Sequence, residues 1–280
     1  MAFTNIKRIL SSVPEKGTGF SAYKLLIMAA ARSRPRYRKL CDVLLKPFVK
    51  DGEVLIKYSC FGRLRRAYIR MSDIDSDYLS VSELVIGSAY NVPPKFAADF
   101  VLDGGGNIGL FSLYASAAYP KAKIVICEPV PSNVAQIEKH LRVNGVHAEV
   151  KQVCIGGFRR TMTFYCRESI TGSTDSTKPY TSQMDVEVLP LAELVSSGDT
   201  DRIFIKLDIE GMEIEALESY VSSEARAVWV VGELHDHSQN KHRLEGIFES
   251  HGWRLSFSEE SDELSIFEAC SPAAAADCLD

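Results

Sequence analysis

From residue 96 onward, short runs of apolar residues alternate with longer stretches in which apolar residues recur every three or four positions. The short runs predict buried strands, and the longer stretches predict helices that cover them. Strands joined by helices run parallel, so the pattern predicts an α/β fold. The predicted strands are 100–103, 123–127, 148–155, 202–207 and 227–234. Two further strands, 253–257 and 263–267, are joined by an acidic turn and predict an antiparallel edge of the sheet.

Three local features qualify this plan. Ser132 has the position of a helix N-cap, and Gly145 lies where that helix is expected to end. Residues 158–200 interrupt the alternation, and we interpret them as an inserted mobile loop whose flanks, 161–166 and 185–189, alternate like strands. The alanine-rich residues 271–280 predict a flexible tail.

The first 92 residues follow a different pattern and predict an α+β extension. Apolar spacing predicts helices over 22–31 and 37–48, followed by a β-hairpin of 53–59 and 65–71 around Gly62. Asp77 or Ser76 then has the position of an N-cap for a helix that ends near Tyr90. The chain therefore divides into an extension, 1–92, and a main domain, 93–270.

The charge distribution separates the same two parts. The chain has a formal charge of −5, but residues 1–70 contain 16 Lys and Arg side chains against 4 Asp and Glu. This basic extension is expected to dock on the acidic remainder, or to contact an anionic surface. We expect no nucleic acid partner, because no basic strand with interleaved aromatic residues is present.

Composition excludes several classes of protein. With 46% apolar and 25% charged residues, the 280-residue chain is neither disordered nor a coiled coil. No apolar run reaches the roughly 20 residues that a membrane span requires. The seven cysteines are widely spaced and form no C-x-x-C pair, which favours reduced thiols. A cytoplasmic location is the expectation.

A glycine-rich turn follows the first predicted strand of the main domain. Its residues, Asp103 to Gly109, contain G-x-G-x-x-G between a strand and a helix, the context of a nucleotide-binding turn. Glu128 ends the next strand, where a carboxylate can bind both ribose hydroxyls of an adenosine. Asp103 would repel a pyrophosphate, whereas the ammonium and sulfonium of S-adenosylmethionine would attract it. An NAD(P)-dependent oxidoreductase remains an alternative.

Three motifs resemble the FkbM-type S-adenosylmethionine-dependent methyltransferases. They are D-G-G-G-N-I-G from Asp103, E-P-V-P-S-N from Glu128, and I-K-L-D-I-E-G-M-E from Ile205. The resemblance covers about residues 98–255. It implies a class I methyltransferase fold, Rossmann-like, with a seven-stranded mostly parallel sheet, an antiparallel last strand and helices on both faces. The cofactor residues it implies are Asp103, Gly104, Gly105, Asn107, Gly109, Glu128, Pro129 and Asn133.

The candidate catalytic residues follow the fourth and fifth predicted strands. Because ligands of open parallel sheets bind beyond the carboxyl ends of the strands, these polar side chains are expected to face the acceptor. They are Lys206, Asp208, Glu210, Glu233 and His235. His235 is the preferred base, since imidazole titrates near neutral pH. Asp208 would orient the acceptor, and Lys206 would either polarise its oxygen or pair with a carboxylate.

Some neighbouring residues are given structural roles. The pattern permits a divalent cation beside Asp208, which we do not expect. Glu213 is interpreted as a charge that stabilises a helix N-terminus, and His140 as a solvent-exposed histidine.

The family resemblance implies methyl transfer to a hydroxyl group. We therefore expect an S-adenosylmethionine-dependent O-methyltransferase that acts on a saccharide, glycolipid or secondary metabolite. The small-molecule or glycan acceptor is its expected partner. A non-catalytic protein recruited through its basic extension is the second alternative.

Overall fold

The computed structural model describes residues 20–21, 43, 45–82, 90, 92–93, 95–167, 171–173, 180–195, 200–221, 226–258 and 261–277. The predicted helix 22–31 lies outside these residues. Of the predicted helix 37–48, the described part ends in the short 3₁₀ helix Lys46–Phe48.

The strands are β1 (Phe20–Ser21), β2 (Val49–Lys50), β3 (Glu53–Cys60), β4 (Arg63–Arg70), β5 (Phe100–Gly104), β6 (Lys123–Cys127), β7 (Glu149–Lys151), β8 (Cys154–Gly156), β9 (Arg160–Arg167), β10 (Thr171–Ser173), β11 (Ser182–Pro190), β12 (Arg202–Leu207), β13 (Ala227–His235), β14 (Arg254–Ser258) and β15 (Leu264–Cys270). The α-helices are α1 (Ile74–Ser82), α2 (Leu110–Ala118), α3 (Pro131–Asn144), α4 (Leu191–Val195), α5 (Glu213–Val221), α6 (His237–Glu249) and α7 (Pro272–Asp277).

The main sheet has seven strands in the order β14-β15-β13-β12-β5-β6-β7. The pairs from β13 to β7 are parallel, whereas β15 is antiparallel to both of its neighbours. The order changes direction between β12 and β5, which places a ligand crevice at the carboxyl ends of these strands. The predicted class I methyltransferase fold is confirmed.

Both faces of the main sheet are covered, as its apolar strands require. Alternate residues of β5 join different clusters: Val101 packs with α2 and α3, whereas Phe100 and Leu102 pack with α4, α5 and α6. All five residues of β5 are buried. Because β5 is packed against other elements on both faces, it is a rigid support for the turn that follows it.

The predicted strand 148–155 is wrong as a single element. The structure divides it into β7, at the edge of the main sheet, and β8, in a second sheet of order β10-β9-β11-β8. Described parts of the predicted loop 158–200 belong to the same sheet, because β9 and β11 pair antiparallel along seven positions from Arg160–Val188 to Cys166–Ser182. Each of these strands buries apolar side chains, which the alternation at 161–166 and 185–189 already indicated.

Two predictions of local structure are also corrected, and one is confirmed. The tail forms helix α7, where Ser271 Oγ accepts a hydrogen bond from the Val228 N–H and Ala274 is fully buried. Ser132 lies inside the first turn of α3 and not at its N-cap, since the helix begins at Pro131. Gly145 ends that helix with a φ of 60°.

The predicted hairpin is confirmed as β3 and β4, and its apolar side contributes Val54, Ile56 and Ile69 to the cluster that includes α2. Asp77 is not an N-cap. It lies within α1, where its buried carboxylate accepts hydrogen bonds from Arg70. The division of the chain at residue 92 stays a prediction.

Helix α3 covers the free edge of β4 through side chains spaced four residues apart. His140 accepts a hydrogen bond from the Tyr68 N–H, and Gln136 donates to the Tyr68 carbonyl. Asn144 bonds both backbone groups of Arg66. His140 is therefore fully buried, and its predicted exposure to solvent is wrong.

Among the residues that the structure describes, no helix combines the length and the apolar character needed to cross a membrane.

Candidate active site

The glycine-rich turn lies at the carboxyl end of β5. Gly105 has a φ of 73°, and a Cβ atom at this position would lie 1.8 Å from the Asp208 carbonyl oxygen. The N–H groups of Gly105 and Gly106 both donate to the Cys127 carbonyl at the end of β6. Only glycine allows both the positive φ at residue 105 and the close approach of the Asp208 carbonyl. This glycine therefore permits direct contact between the turn and the end of β12.

Glu128 follows β6 and is held on three sides. Its carboxylate accepts hydrogen bonds from the Asn107 N–H at 2.8 Å, the Val130 N–H at 3.0 Å and Asn133 Nδ2 at 3.2 Å. Burial raises the pKa of Glu128 to about 7, although these three donors act in the opposite direction. The carboxylate is thus fixed where the sequence predicts a ribose ligand.

A cleft opens beside this carboxylate. Five predicted cofactor residues line it: Gly105, Asn107, Glu128, Pro129 and Asn133. Gly104 and Gly109 do not line it, since Gly104 ends β5 and Gly109 precedes α2 with a φ of 79°.

An apolar wall closes the other side of the cleft. It consists of Val130, Val153, Cys154, Ile155 and Phe164. Cys154 and Ile155 belong to β8, which the sequence analysis placed in a single strand 148–155, and Phe164 belongs to β9, within the predicted loop 158–200. Sequence reasoning therefore missed this wall, although the apolar run 153–155 was visible.

Asp103 and Lys206 lie beneath the glycine-rich turn. Asp103 is fully buried, does not line the cleft, and accepts a hydrogen bond from Ser112 Oγ at 2.5 Å. Lys206 Nζ donates to the carbonyls of Gly104 and Gly105 and lies 3.8 Å from Asp103. The sequence analysis left two roles open for Lys206, and these contacts favour pairing with a carboxylate over polarising the acceptor oxygen.

A second cleft, of about 340 Å³, lies beyond the turn and is lined by Ser80, Tyr90, Phe111 and Lys206 among others. Gly105, Asn107 and Asp208 line both clefts. Asp208 therefore stands at the junction between the cleft beside Glu128 and the cleft beside Tyr90.

Tyr90 joins the two carboxylates that end β12 and β13. Its hydroxyl lies 2.9 Å from Glu233 Oε1 and 3.3 Å from Asp208 Oδ2. The sequence analysis missed Tyr90, because the residue precedes the proline pair at 93–94 and was treated as the end of the extension. No local signal marks it, since only the folded chain brings it to β12.

His235 is surrounded by carboxylates. Its Nδ1 lies 3.0 Å from Glu213 Oε1, and its Nε2 lies 3.8 Å from Glu210 Oε2. Burial alone would lower the pKa of His235, but the hydrogen bond and charge of Glu213, with Glu210 and Asp208, raise it to about 9. At neutral pH the ring is an imidazolium, so it is not poised to accept a proton as the sequence analysis expected.

The ligand atoms of Asp208, Glu233 and His235 lie within 4.8 Å of one another, which makes them the described group that a metal ion would use. The Tyr90 hydroxyl lies within hydrogen-bond distance of both carboxylates, and Lys206 Nζ lies 3.5 Å from Asp208 Oδ2, so two of the three groups already have polar partners.

The extension also supports the first cleft. Arg70 of β4 donates to Asn133 Oδ1 at 3.0 Å, and Asn133 in turn binds Glu128. Ser80 of α1 accepts a hydrogen bond from Asn107 Nδ2 at 2.9 Å. Both contacts escaped the sequence analysis, because they join residues far apart along the chain.

Comparison with known proteins agrees with this geometry. The model of the methyltransferase FkbM domain matches residues 103–259. Methyltransferase 1 of Beauveria bassiana (strain ARSEF 2860) is 28% identical, over 48% of this chain and 64% of that protein. The match thus spans less than two thirds of that relative. Methyltransferase sdnD of Sordaria araneosa is 25% identical, over 68% of this chain and 87% of that protein.

Solved structures were compared as well. The methyltransferase FkbM of Methylobacillus flagellatus KT aligns with a TM-score of 0.44 and 12% identity, over 85% of this chain and 60% of that one. A putative transferase of Pyrococcus horikoshii aligns with a TM-score of 0.46 and 11% identity, over 94% and 92%.

The strand order defines a class I methyltransferase fold, and two clefts lie at the carboxyl ends of β5, β6 and β12. With the domain model matching more than half of its length, the chain belongs to the FkbM methyltransferase family.

Proposed function

We propose that the protein is an S-adenosylmethionine-dependent O-methyltransferase whose acceptor is a hydroxyl of a saccharide, glycolipid or secondary metabolite. The observation that supports it most is the position of Asp208, which lines both the cleft beside Glu128 and the cleft beside Tyr90. A carboxylate at that junction is available to an acceptor hydroxyl in one cleft while a cofactor occupies the other.

The residues of the first cleft fit S-adenosylmethionine. The buried Glu128 carboxylate would bind the ribose hydroxyls, and the apolar wall around Phe164 would contact the adenine. Gly105, which cannot carry a Cβ, permits close approach of a ligand to the turn. Asp103, bonded by Ser112 and 3.8 Å from Lys206 Nζ, lies beneath the turn and would act on the cofactor through the position of the turn. When bound, the cofactor supplies a methyl group already activated by its sulfonium.

The second cleft would align the acceptor, and Asp208 would receive the acceptor's proton. The cofactor would supply the methyl group, the second cleft would hold the acceptor hydroxyl in line with it, and Asp208 would accept the hydroxyl proton. Asp208 and Glu233 form a cluster of carboxylates. The neighbouring His235 imidazolium and Tyr90 hydroxyl compensate their negative charge. Asp208 thus replaces His235 as the proposed base.

Calorimetric titration tests the choice of cofactor. We expect S-adenosylmethionine and S-adenosylhomocysteine to bind, and NAD and NADP not to bind. Glu128→Gln should weaken S-adenosylmethionine about tenfold or more, because the amide loses one of the two ribose acceptors. Asp103→Ala should also weaken it. Dinucleotide binding to the native chain, or unchanged affinity in both variants, would contradict the proposal.

Transfer of a labelled methyl group tests the reaction. Asp208→Asn should lower turnover on a hydroxylated acceptor about 10²-fold or more, the usual worth of a general base, with little change in cofactor affinity. Asp185→Asn is the matched control, since this exposed carboxylate bonds Thr163 in the second sheet. Full turnover in Asp208→Asn, or transfer to amines in preference to alcohols, would reject the assignment.

A cytoplasmic location is part of the same proposal. Cys60, Cys127, Cys154 and Cys166, among the described residues, are free thiols, as a reducing compartment favours.

A further inference from the structure

The turn between β3 and β4 carries an unusual residue. Phe61 and Gly62 form a two-residue turn with φ values of 46° and 71°, the left-handed pair of a type I′ turn. Asn-Gly is the usual sequence there, because a bulky side chain is disfavoured at positive φ. Folding of the hairpin therefore does not account for phenylalanine at this position.

Apolar side chains protrude at this end of the hairpin. Phe61 is 54% exposed and Leu64 is 57% exposed. One side of the Phe61 ring meets Tyr114 of α2 at 5.1 Å between centroids, which holds the ring at the tip. Two large apolar side chains at the end of a rigid hairpin form a projecting contact and not a groove for a ligand.

The surroundings of the tip are cationic. Of the five Lys and Arg residues between Glu53 and Asp73, Arg65 is buried and Arg70 pairs with Asp77 at the other end of β4, so Arg63 and Arg66 provide the charge near the tip. Arg63 and Arg66 are exposed beside Leu64. Helix α2, which supports the tip, contains no charged residue. An anionic surface with an apolar interior complements this combination of charge and apolar protrusion.

We propose that the hairpin tip, Phe61 to Arg66, docks the protein on an anionic phospholipid bilayer, with Phe61 and Leu64 entering the interface and Arg63 and Arg66 contacting the headgroups. A bilayer is favoured over a nucleic acid because Leu64 has no ring to stack on a base. Membrane contact at this tip is peripheral and independent of the methyl-transfer proposal, since no residue of the tip lines either cleft.

Vesicle sedimentation of the full-length protein tests this inference. The native chain should bind phosphatidylcholine vesicles that contain phosphatidylserine and should bind pure phosphatidylcholine vesicles much more weakly. Phe61→Asn should reduce binding about tenfold while keeping the turn, because asparagine favours positive φ. Charge reversal by Arg63→Glu should reduce binding to the anionic vesicles about fivefold or more.

Matched variants decide the outcome. Phe158→Asn changes a phenylalanine that is 59% exposed outside the extension, and it should leave binding unchanged. Leu64→Thr provides a second tip variant on a strand if Phe61→Asn lowers the melting temperature. Equal loss in Phe158→Asn, full binding in both tip variants, or no vesicle binding by the native chain would overturn the proposal. So would equally tight binding to a single-stranded RNA that both tip variants abolish.

Discussion

The Glu213 side chain contacts both the loop after β12 and His235 on β13. Its buried carboxylate accepts hydrogen bonds from the N–H groups of Ile209 and Gly211, which fix the loop that follows β12. The same oxygen contacts His235 on β13. The sequence interpretation assigned Glu213 only to the N-terminus of a helix, because neither the loop nor His235 is its neighbour on that helix.

Replacing this carboxylate should change the titration of His235. Glu213→Gln removes the main group that raises the pKa of His235, so the pKa should fall from about 9 toward its ordinary value near 6.5. Because the folded-state pKa exceeds the unfolded one, His235 stabilises the native chain fully below pH 6.5, and this stabilisation is lost as the pH rises through 9. Histidine NMR titration measures the shift.

The control for Glu213→Gln is Glu218→Gln on the same helix, where the carboxylate pairs with the exposed Arg243. It should leave the His235 titration unchanged. An unaltered pKa in Glu213→Gln would mean that Glu210 and Asp208 alone hold the imidazolium.

His140 should have the opposite pH dependence. Burial lowers its pKa to about 4, against 6.5 in the unfolded chain, although the hydrogen bond to the Ile108 carbonyl acts in the opposite direction. The unfolded state therefore binds the proton first, and stability falls by about 3 kcal/mol as the pH drops from 6.5 through 4. Urea unfolding should show this fall in the native chain and a smaller one in His140→Gln. Equal pH profiles would contradict the assignment.

At the scale of elements, the glycine-rich turn is determined by its contact with β12. Gly105→Ala places a Cβ against the Asp208 carbonyl at positive φ, so it should destabilise the chain by more than about 2 kcal/mol. The variant should also bind S-adenosylmethionine more weakly, because Gly105 lines the cleft. Urea unfolding and calorimetry measure the two effects.

Gly246 of α6 provides the matched substitution with the opposite sign. A Cβ there has nothing within 4 Å, and the residue lies in the interior of a helix. Gly246→Ala should therefore stabilise the chain by about 0.5–1 kcal/mol. If both alanines had the same effect, the contact with Asp208 would not be what requires Gly105.

The contact between α3 and the edge of β4 could not be predicted from the sequence of the helix. Gln136, His140 and Asn144 recur every four residues on α3, a spacing that reads as a polar helix face. In the fold that face meets unpaired backbone of Tyr68 and Arg66 and replaces a neighbouring strand. A polar stripe on a helix does not show whether its side chains form hydrogen bonds with water or with the edge of a strand.

At the scale of the whole molecule, the sequence predicted what local patterns determine. Strand burial, alternating helices and the glycine-rich turn define the main sheet, and the predicted 123–127 and 202–207 coincide with β6 and β12. What escaped was pairing between distant segments. The strands β8 and β9 join a second sheet, and Tyr90 reaches β12 only because the extension folds over the crevice.

That folding couples the extension to the first cleft, with Arg70 as the connection. Arg70 binds Asp77 within the extension and Asn133 on α3, and Asn133 holds Glu128. Arg70→Lys keeps a cation beside Asp77 but loses the forked guanidinium that reaches Asn133. We expect S-adenosylmethionine affinity to fall about tenfold in calorimetry, because the carboxylate that we propose binds the ribose loses its support.

A control separates this effect from a general loss of charge or stability. Arg243→Lys alters an exposed arginine that pairs with Glu218 on the surface, and it should leave cofactor affinity unchanged. If Arg70→Lys bound the cofactor as tightly as the native chain at equal stability, Asn133 would hold Glu128 without help from β4. The extension would then act on the acceptor side of the crevice alone, through Tyr90.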